Sequence, residues 1–243
     1  MKSWNVAAGR FFFRYRNSLF PIVFLIFLIL MRPRVLFGRP IIDHQLALLG
    51  TFVAIAGQMV RLLTIGFDYI DRGGKKGRPA ASRLVQGGIY AHTRNPMYLG
   101  NILIAVGLTM SSGSPVAYVT IIPFFLFVYN AITAAEESFL REEFGAEYKE
   151  YCTRVPRFFP SLRGLRQTLS QGQYNWKRAV RQDLSTLTWV SMTLAALPLW
   201  RIYFLEGTGA LQAAAPRTAV LEAGILAVYL VLIYLKGQRR LFY

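Results

Sequence analysis

Long apolar segments alternate with basic segments along the chain. Residues 44–66 and 114–135 are each apolar over about twenty positions, the length that a helix needs to cross a hydrocarbon layer of roughly 30 Å. Four further apolar segments are shorter or less uniform: 19–31, 97–111, 185–205 and 218–235. The pattern predicts an all-α fold, a polytopic membrane helical bundle with about six transmembrane helices.

Two of these assignments need a separate argument. The turn-like SSGSP sequence joins 97–111 to 114–135, so these two segments predict a helical hairpin. The segment 19–31 spans the layer only if Arg14 and Arg16 extend their side chains to the membrane surface. A targeting peptide is the alternative for this segment. We reject it because a basic RPR sequence follows, with no small-residue cleavage site.

Composition and charge place the chain in a membrane. Charged residues make up 16% of it, below the roughly 25% typical of soluble domains. The net charge of +16 suits either nucleic acid or anionic lipid headgroups. With the N-terminus inside, twenty-two Lys and Arg residues fall in cytoplasmic segments and four in outer segments. Topology therefore explains the charge, with both termini cytoplasmic, membrane lipids as partners and no nucleic acid.

The segments group into four predicted parts. They are an N-terminal membrane helix with its flank (1–43), a core (44–160), a basic cytoplasmic linker (161–184) and a C-terminal transmembrane helix pair (185–243). Within the core, the Gly-rich and basic stretch 67–96 predicts a loop. Residues 137–158 carry aromatic and Leu side chains at helical spacings and predict an amphipathic surface helix.

Two sequence blocks lie at the cytoplasmic end of the predicted hairpin: GGIYAHTRNPMYLG at 87–100 and AAEESFLREEFGAEYKEYCTRVPRFFP at 134–160. Pro96 suits the first turn of a helix, and the free amides of such a turn bind carboxylates or phosphates. Adjacent helical residues point about 100° apart, so at most one of Glu136 and Glu137 enters a shared pocket. The other is expected to meet water or a cytoplasmic Arg.

The two blocks match one family pattern in order and spacing. The matching positions are Gly88, Tyr90, Arg94, Pro96, Tyr98 and Gly100, then Glu136, Glu137, Leu140, Phe144, Gly145, Tyr148, Tyr151, Arg154, Val155 and Pro156. In this pattern the chain resembles the integral-membrane methyltransferases related to isoprenylcysteine carboxyl methyltransferase and phospholipid methyltransferase. The resemblance covers about residues 45–160 and leaves out both ends of the chain.

The resemblance implies transfer of a methyl group from S-adenosylmethionine to a lipid-borne or small hydrophobic acceptor, in a cytoplasmic cofactor pocket. It implies catalytic roles for Arg94 and Glu136. The implied cofactor-binding residues are Ser82, Arg83, Leu84, Val85, Tyr90, Asn95, Pro96, Met97, Tyr98 and Glu136. These residue types suit a cofactor with a sulfonium, an amino group and a carboxylate, because aromatic faces favour cations, Glu accepts from ammonium groups and Arg holds carboxylates.

Two positions depart from the family pattern. Asn95 stands where the family usually has His, and Asn hydrogen-bonds but does not titrate near neutrality. Ile132 stands where the isoprenylcysteine enzymes have the Arg that holds the substrate carboxylate. We therefore expect an amine, thiol, phenol or lipid headgroup as the acceptor rather than a free prenylcysteine carboxylate.

Two other function classes stay open at this point. One is a membrane reductase of the sterol-reductase type that uses NADPH, and the other is a non-catalytic membrane binding protein derived from the methyltransferases. The sequence leaves the oligomeric state open. His44 and His92 have no third ligand nearby and predict no metal site. Arg61, near the inner end of its helix, is expected to extend to the membrane surface, with a substrate role as the less favoured interpretation.

Overall fold

The computed structural model describes residues 3–30, 32–67 and 81–237, and within these ranges the regular structure is all helical, with no strands. The helices are α1 (Ser3–Leu30), α2 (Pro40–Phe67), α3 (Pro96–Ser111), α4 (Pro115–Arg154), α5 (Leu165–Gln171), α6 (Trp176–Leu205) and α7 (Thr208–Gly237), with 3₁₀ turns η1 (Leu36–Gly38) and η2 (Gly88–Ala91). The predicted all-α class is confirmed. Residues 68–80 of the predicted 67–96 loop, including its GGKKG sequence, lie outside the described residues.

The protein is a multi-pass membrane bundle. By length and hydropathy, α2, α4 and α7 are each able to cross a membrane, and α3 and residues 18–27 of α1 are shorter apolar segments. Five helices pack around one another: α1 packs on α4, α2 packs on α3 and on α6, and α3 packs on the α4 that follows it. The predicted total of about six spans stays a prediction.

The predicted hairpin forms from α3 and α4. Pro96 occupies the first turn of α3, as predicted, and the turn to α4 uses Gly113 at a φ of 71°. Ser114 caps α4 by accepting a hydrogen bond from the Ala117 amide. The predicted surface helix 137–158 is not separate. It continues α4 to Arg154 after a kink at Gly145, whose φ is 51°.

Small residues bring α2 and α3 into backbone contact. A Cβ atom added to Gly57 would lie 2.6 Å from the carbonyl oxygen of Gly100, and one added to Gly107 would lie 2.5 Å from that of Gly50. Close approach of this kind is how helices associate in lipid, where no hydrophobic driving force acts between them. The two helices thus form the rigid centre of the bundle.

Two ion pairs join α2 to α6. Arg61 pairs with Asp183, which we call the inner clamp, and Asp43 pairs with Arg201, which we call the outer clamp. On each helix the two clamp residues are eighteen positions apart, which is five helical turns or about 27 Å. The expectation that Arg61 extends to the membrane surface is wrong. Its side chain is 5% exposed because Asp183, from a sequence-distant helix, neutralises it inside the bundle.

Helix α6 is part of the bundle and begins well before the predicted boundary at residue 185. Arg178 donates hydrogen bonds of 2.8 and 2.7 Å to the carbonyls of Ile65 and Gly66, which are left without helical partners at the end of α2. These bonds tie the first turn of α6 to α2, within the stretch predicted as a linker. Helix α7, by contrast, packs against α6 and leaves its apolar surface exposed.

Candidate functional site

A cavity of about 720 Å³ lies between α1, α2, α3, α4 and α6. Polar and charged side chains line part of it: Arg16, Arg61, Tyr90, Arg94, Asn95, Tyr98, Asn101, Thr109, Tyr129, Glu136, Ser185 and Thr186. The rest of the wall is apolar or aromatic: Phe20, Val23, Phe27, Met97, Ile104, Ala105, Leu108, Ile121, Phe125, Leu140, Trp189 and Val190. The volume is in the range of pockets for small molecules and cofactors.

The cavity brings together the two sequence blocks. Tyr98 from α3 and Glu136 from α4 both line it, and the Tyr98 hydroxyl donates a hydrogen bond to the Glu136 carboxylate. The centroid of the Tyr129 ring lies 6.0 Å from that of the Tyr98 ring, so the two rings are neighbours on the cavity wall. A carboxylate held this way inside a membrane protein is a candidate for function rather than for structure.

Glu136 and Glu137 face different surroundings, as their 100° offset predicts. Glu137 accepts a hydrogen bond of 3.0 Å from Arg157 and one of 3.2 Å from Asn95, and lies 3.7 Å from Arg94. Both carboxylate oxygens of Glu137 therefore have partners within the protein. Only Glu136 lines the cavity, which confirms the prediction that one carboxylate enters the pocket and the other meets an Arg.

Arg94 lies in the segment between η2 and α3. Its backbone amide donates to the carbonyl of Pro156 at 2.9 Å, and its Nη1 donates to the Cys152 Sγ at 2.6 Å. Burial lowers the pKa of Arg94, but the neighbouring Glu137, Cys152 and Tyr148 raise it, and the net shift is upward. The buried Nε has no hydrogen-bond partner among the described residues, although the side chain lines the cavity. This guanidinium is charged and has one donor to offer a ligand.

Asn95 and Pro96 set the entrance of α3. The Asn95 side-chain amide donates both to Glu137 and to the carbonyl of Arg157, at 3.2 and 3.1 Å. With both amide hydrogens engaged, the carbonyl oxygen is the group that Asn95 can present to the cavity it lines. Pro96 is buried and begins the helix without lining the cavity.

The stretch Ser82–Val85 lies apart from the cavity. Ser82 and Arg83 are exposed, and Leu84 packs against the cluster of Tyr148, Tyr151 and Val155 at the C-terminal end of α4. None of the four is among the cavity-lining residues of the described chain. A role for this stretch in cofactor binding stays a prediction.

The sequence analysis did not name several polar cavity residues as site residues, among them Arg16, Asn101 and Thr186. It gave Arg61 a substrate role only as the less favoured interpretation. Arg61 donates to Asp183 through Nε at 3.0 Å and through Nη2, to Asn101 through Nη1 and to Thr186 through Nη2 at 3.1 Å. A signal for this network was available. Two apolar helices each carry an acid followed eighteen residues later by a base, and this shared order pairs each acid with a base when the helices run antiparallel.

The histidines contribute to structure in this neighbourhood. His92 is buried, and its ring nitrogens lie 2.8 Å from the Ser161 carbonyl oxygen and 2.8 Å from the Thr168 hydroxyl. These bonds fasten the segment leading into α5 to η2. Within the described ranges, no group of three or more His, Cys, Asp or Glu side chains is placed to hold a metal ion.

Comparison with known proteins finds relatives for part of the chain. Residues 46–147 match the family described as phospholipid methyltransferase. The chain is 30% identical over 131 residues to the cobalt-zinc-cadmium resistance protein CzcN of Cupriavidus metallidurans, covering 54% of this chain and 53% of that protein. It is 28% identical over 129 residues to the protein-S-isoprenylcysteine O-methyltransferase of Homo sapiens, covering 51% of this chain and 44% of that protein.

A shorter relative is matched over almost its whole length. An uncharacterized protein of Haemophilus influenzae is 36% identical over 62 residues, which are 26% of this chain and 98% of that protein. The chain spans about half the length of the longer relatives it matches. No solved structure matches it.

Proposed function

We propose that this chain, which belongs through residues 46–147 to the phospholipid methyltransferase family, transfers a methyl group from S-adenosylmethionine to a lipid-borne or small hydrophobic acceptor. The observation that carries the proposal is that Tyr98 and Glu136, one from each family block, line the same cavity and are hydrogen-bonded to each other. The relatives named as isoprenylcysteine O-methyltransferases support the reaction class.

The residues present fit the cofactor. The unpartnered Nε of Arg94 is a charged donor suited to the cofactor carboxylate, and Glu136 is an acceptor suited to its amino group or ribose hydroxyls. Tyr90 and Tyr98 offer aromatic faces that favour a sulfonium cation. Asn95 and Met97 complete the cofactor end of the cavity in this proposal. In-line displacement breaks the carbon–sulfur bond of the sulfonium as the acceptor lone pair bonds to the methyl carbon, and the bond electrons stay on sulfur.

The protein's own contribution is alignment and exclusion of water. Tyr98 holds the Glu136 carboxylate in place, while Glu137 and Cys152 hold the Arg94 guanidinium. No nucleophilic side chain is needed. Where the acceptor must lose a proton, Glu136 is the carboxylate at the cavity wall that is positioned to accept it.

The apolar part of the cavity is the proposed acceptor site. Trp189 and Val190 of α6 line it, so α6 forms part of the active-site wall rather than an appendage to the core. The excess of basic residues places the cofactor end of the cavity at the cytoplasmic face in this proposal.

The test is calorimetric binding of S-adenosylmethionine to the full-length protein in detergent micelles or nanodiscs. Glu136→Gln is expected to weaken binding about tenfold or more, because it removes the charge from a buried acceptor. Glu143→Gln is the matched control, since Glu143 lies seven residues further along α4 and is exposed. Absence of binding to the wild-type protein at about 1 mM cofactor would reject the proposal.

Turnover is tested separately with a radiolabelled methyl donor and native membrane lipid. The proposal expects label in a lipid or hydrophobic fraction from wild-type protein and none from Glu136→Gln. A parallel thermal-shift experiment compares NADPH with S-adenosylmethionine. Stabilisation by NADPH alone would contradict the methyltransferase proposal in favour of a reductase.

A further inference from the structure

Three polar side chains on the cavity wall form one hydrogen-bonded group centred on Arg61. The Arg61 Nη1 donates to the side-chain oxygen of Asn101, and its Nη2 donates to the hydroxyl oxygen of Thr186 at 3.1 Å. The three residues come from α2, α3 and α6, and all of them line the cavity. The group therefore belongs to the wall that a ligand would touch.

Contact with Arg61 decides which atoms Asn101 and Thr186 can present to the cavity. A guanidinium has donors only, so the Asn101 atom that faces it is the carbonyl oxygen, and the Thr186 oxygen acts as an acceptor. The Asn101 amide hydrogens and the Thr186 hydroxyl hydrogen are left for other partners. Among the residues that the structure describes, no group accepts a hydrogen bond from them. We call these two side chains the donor patch.

The structural role of the donor patch accounts for only half of its polar atoms. Binding to Arg61 uses the oxygen atoms and leaves the hydrogens without an acceptor in the described part of the chain. Donors inside a membrane bundle are unfavourable without a partner, and native proteins satisfy nearly all of them. Since both residues line a cavity of about 720 Å³, a ligand has room to supply the missing acceptor.

Arg61 adds no net positive charge beside the donor patch. Its counter-charge is Asp183, which accepts from the Arg61 Nε at 3.0 Å and also from Nη2, and whose side chain is 0% exposed. An anion next to the patch would gain hydrogen bonds but no excess charge from this pair to offset its loss of water. A neutral oxygen loses far less on leaving water. The patch therefore suits a neutral acceptor, such as the oxygen of a ketone, ester or ether.

The donor patch lies between the two ends of the cavity. On α3, Asn101 follows Tyr98 of the proposed cofactor end by three residues and precedes Ile104 of the apolar wall by three. On α6, Thr186 precedes Trp189 of the proposed acceptor site by three residues. Residues at this spacing are neighbours on one helix face. A molecule that extends from the acceptor site toward the cofactor end therefore passes the patch.

We propose that the donor patch selects the methyl acceptor by a neutral oxygen atom, an inference that rests on the methyltransfer function proposed above. The oxygen accepts hydrogen bonds from the Asn101 amide and from the Thr186 hydroxyl. Arg61 is a positioning residue, because it holds the oxygens of both side chains and so turns their donors toward the cavity.

The experiment compares two probes of nearly equal shape on the full-length protein in maltoside detergent micelles. One is methyl nonyl ketone, and the other is its methylidene analogue, in which a =CH₂ group replaces the oxygen. Equilibrium dialysis of the tritiated probes against protein-free micelles measures their affinities. The ketone is expected to bind about tenfold more tightly, because only it accepts hydrogen bonds. Equal affinities would overturn the inference.

Infrared difference spectra with an isotope-labelled carbonyl detect the hydrogen bonds themselves. Hydrogen bonding lowers the stretching frequency of a carbonyl group. The ketone bound to the protein is therefore expected to absorb at a lower frequency than the ketone in protein-free micelles. An unshifted band would contradict the proposal even if the ketone bound more tightly than its analogue.

Variants assign the preference to the donor patch. Asn101→Asp keeps an oxygen for Arg61 but loses the amide donor, and Thr186→Val loses the hydroxyl, so each is expected to reduce the preference for the ketone about threefold or more. Thr186→Ser should keep it. Gln212→Glu is the matched control for the amide-to-acid change, because Gln212 is exposed on α7 and does not line the cavity. A preference and a frequency shift that survive in both Asn101→Asp and Thr186→Val would overturn the inference.

Further outcomes in wild-type protein separate the donor patch from the cofactor site. The ketone is expected to bind equally well when S-adenosylhomocysteine saturates the protein, and competition between the two would refute the assignment of the patch to the acceptor. Protein that binds S-adenosylmethionine but does not distinguish the ketone from its analogue would overturn the inference and leave the methyltransferase proposal standing. Protein that prefers the ketone but fails to bind S-adenosylmethionine would support the patch as a site for a neutral oxygen and reject the methyltransferase.

Discussion

The two clamps between α2 and α6 share their chemistry and their spacing. Each pairs one Arg with one Asp, and the acidic partner is almost completely buried in both. Helix α2 contributes the Arg of the inner clamp and the Asp of the outer clamp, and α6 contributes the oppositely charged partner of each. About 27 Å separates them along each helix, close to the roughly 30 Å thickness of the hydrocarbon layer. The clamps thus fix an antiparallel register at two depths.

Their surroundings differ. The inner clamp is part of a larger network, because Gln58 donates to Asp183 at 2.8 Å while Arg61 also bonds Asn101 and Thr186. Three of these residues, Arg61, Asn101 and Thr186, line the cavity. The inner clamp therefore shapes the site as well as joining the helices.

The outer clamp lies away from the cavity. Neither Asp43 nor Arg201 lines it, and Asp43 Oδ1 and Arg201 Nη1 have no hydrogen-bond partner among the described residues. The Arg201 side chain is 14% exposed, whereas the Arg61 side chain is 5% exposed. The comparison suggests a division of roles between two similar Arg–Asp pairs. The outer pair is expected to contribute to stability alone, and the inner pair to stability and to the cavity. Matched substitutions in the two clamps test this difference.

Asp183→Asn is expected to have the largest effect. It leaves the Arg61 guanidinium buried without a counter-charge, and breaking a buried pair in this way costs about 3–5 kcal/mol of stability. Thermal unfolding of the detergent-solubilised protein, followed by intrinsic fluorescence, measures the loss. Binding of S-adenosylmethionine should weaken as well, because Arg61 then loses the group that fixes its position on the cavity wall. Native stability in this variant would show that the pair contributes little.

Sequence patterns predicted the parts of this fold that depend on local information. The apolar runs of α2 and α4, the hairpin turn at Gly113 and the start of α3 at Pro96 each follow from residues close together in the chain. The start of α6 was missed because Lys177, Arg178 and Asp183 break its hydropathy. The partners of Arg178 and Asp183 lie on α2, more than a hundred residues away.

The residues of the site also divide into those that local sequence patterns predict and those that only tertiary contacts reveal. Tyr98 and Glu136 belong to spaced motifs, so sequence placed them together, and the geometry of adjacent helical residues separated Glu136 from Glu137. Arg16 and Thr186 lie outside both motifs, and only tertiary packing brings α1 and α6 to the cavity. The same lack of tertiary information led to the wrong expectation that Arg61 extends to the membrane surface.

Asp43→Asn, the same substitution in the outer clamp, is expected to have a smaller effect. Arg201 then loses one charge-assisted hydrogen bond, which lowers the stability by about 1.5–3 kcal/mol. Its long side chain can also turn toward the nearer membrane surface. The same unfolding experiment measures this cost. Binding of S-adenosylmethionine should equal that of the wild type. A loss of ligand binding as large as in Asp183→Asn would remove the distinction between the two clamps.

The smallest effect on stability is expected from replacing the whole inner pair, as in Arg61→Leu/Asp183→Leu. Removing both charges leaves neither one uncompensated, and well-packed apolar residues in place of a buried ion pair are often neutral for stability. The double variant should therefore unfold closer to the wild type than Asp183→Asn does. Its ligand binding should not recover, because Asn101 loses the Arg61 bond that orients its amide on the cavity wall. Native stability combined with weakened binding of S-adenosylmethionine would assign the inner clamp to the site, whereas native values for both would make it a second structural pair like Asp43 and Arg201.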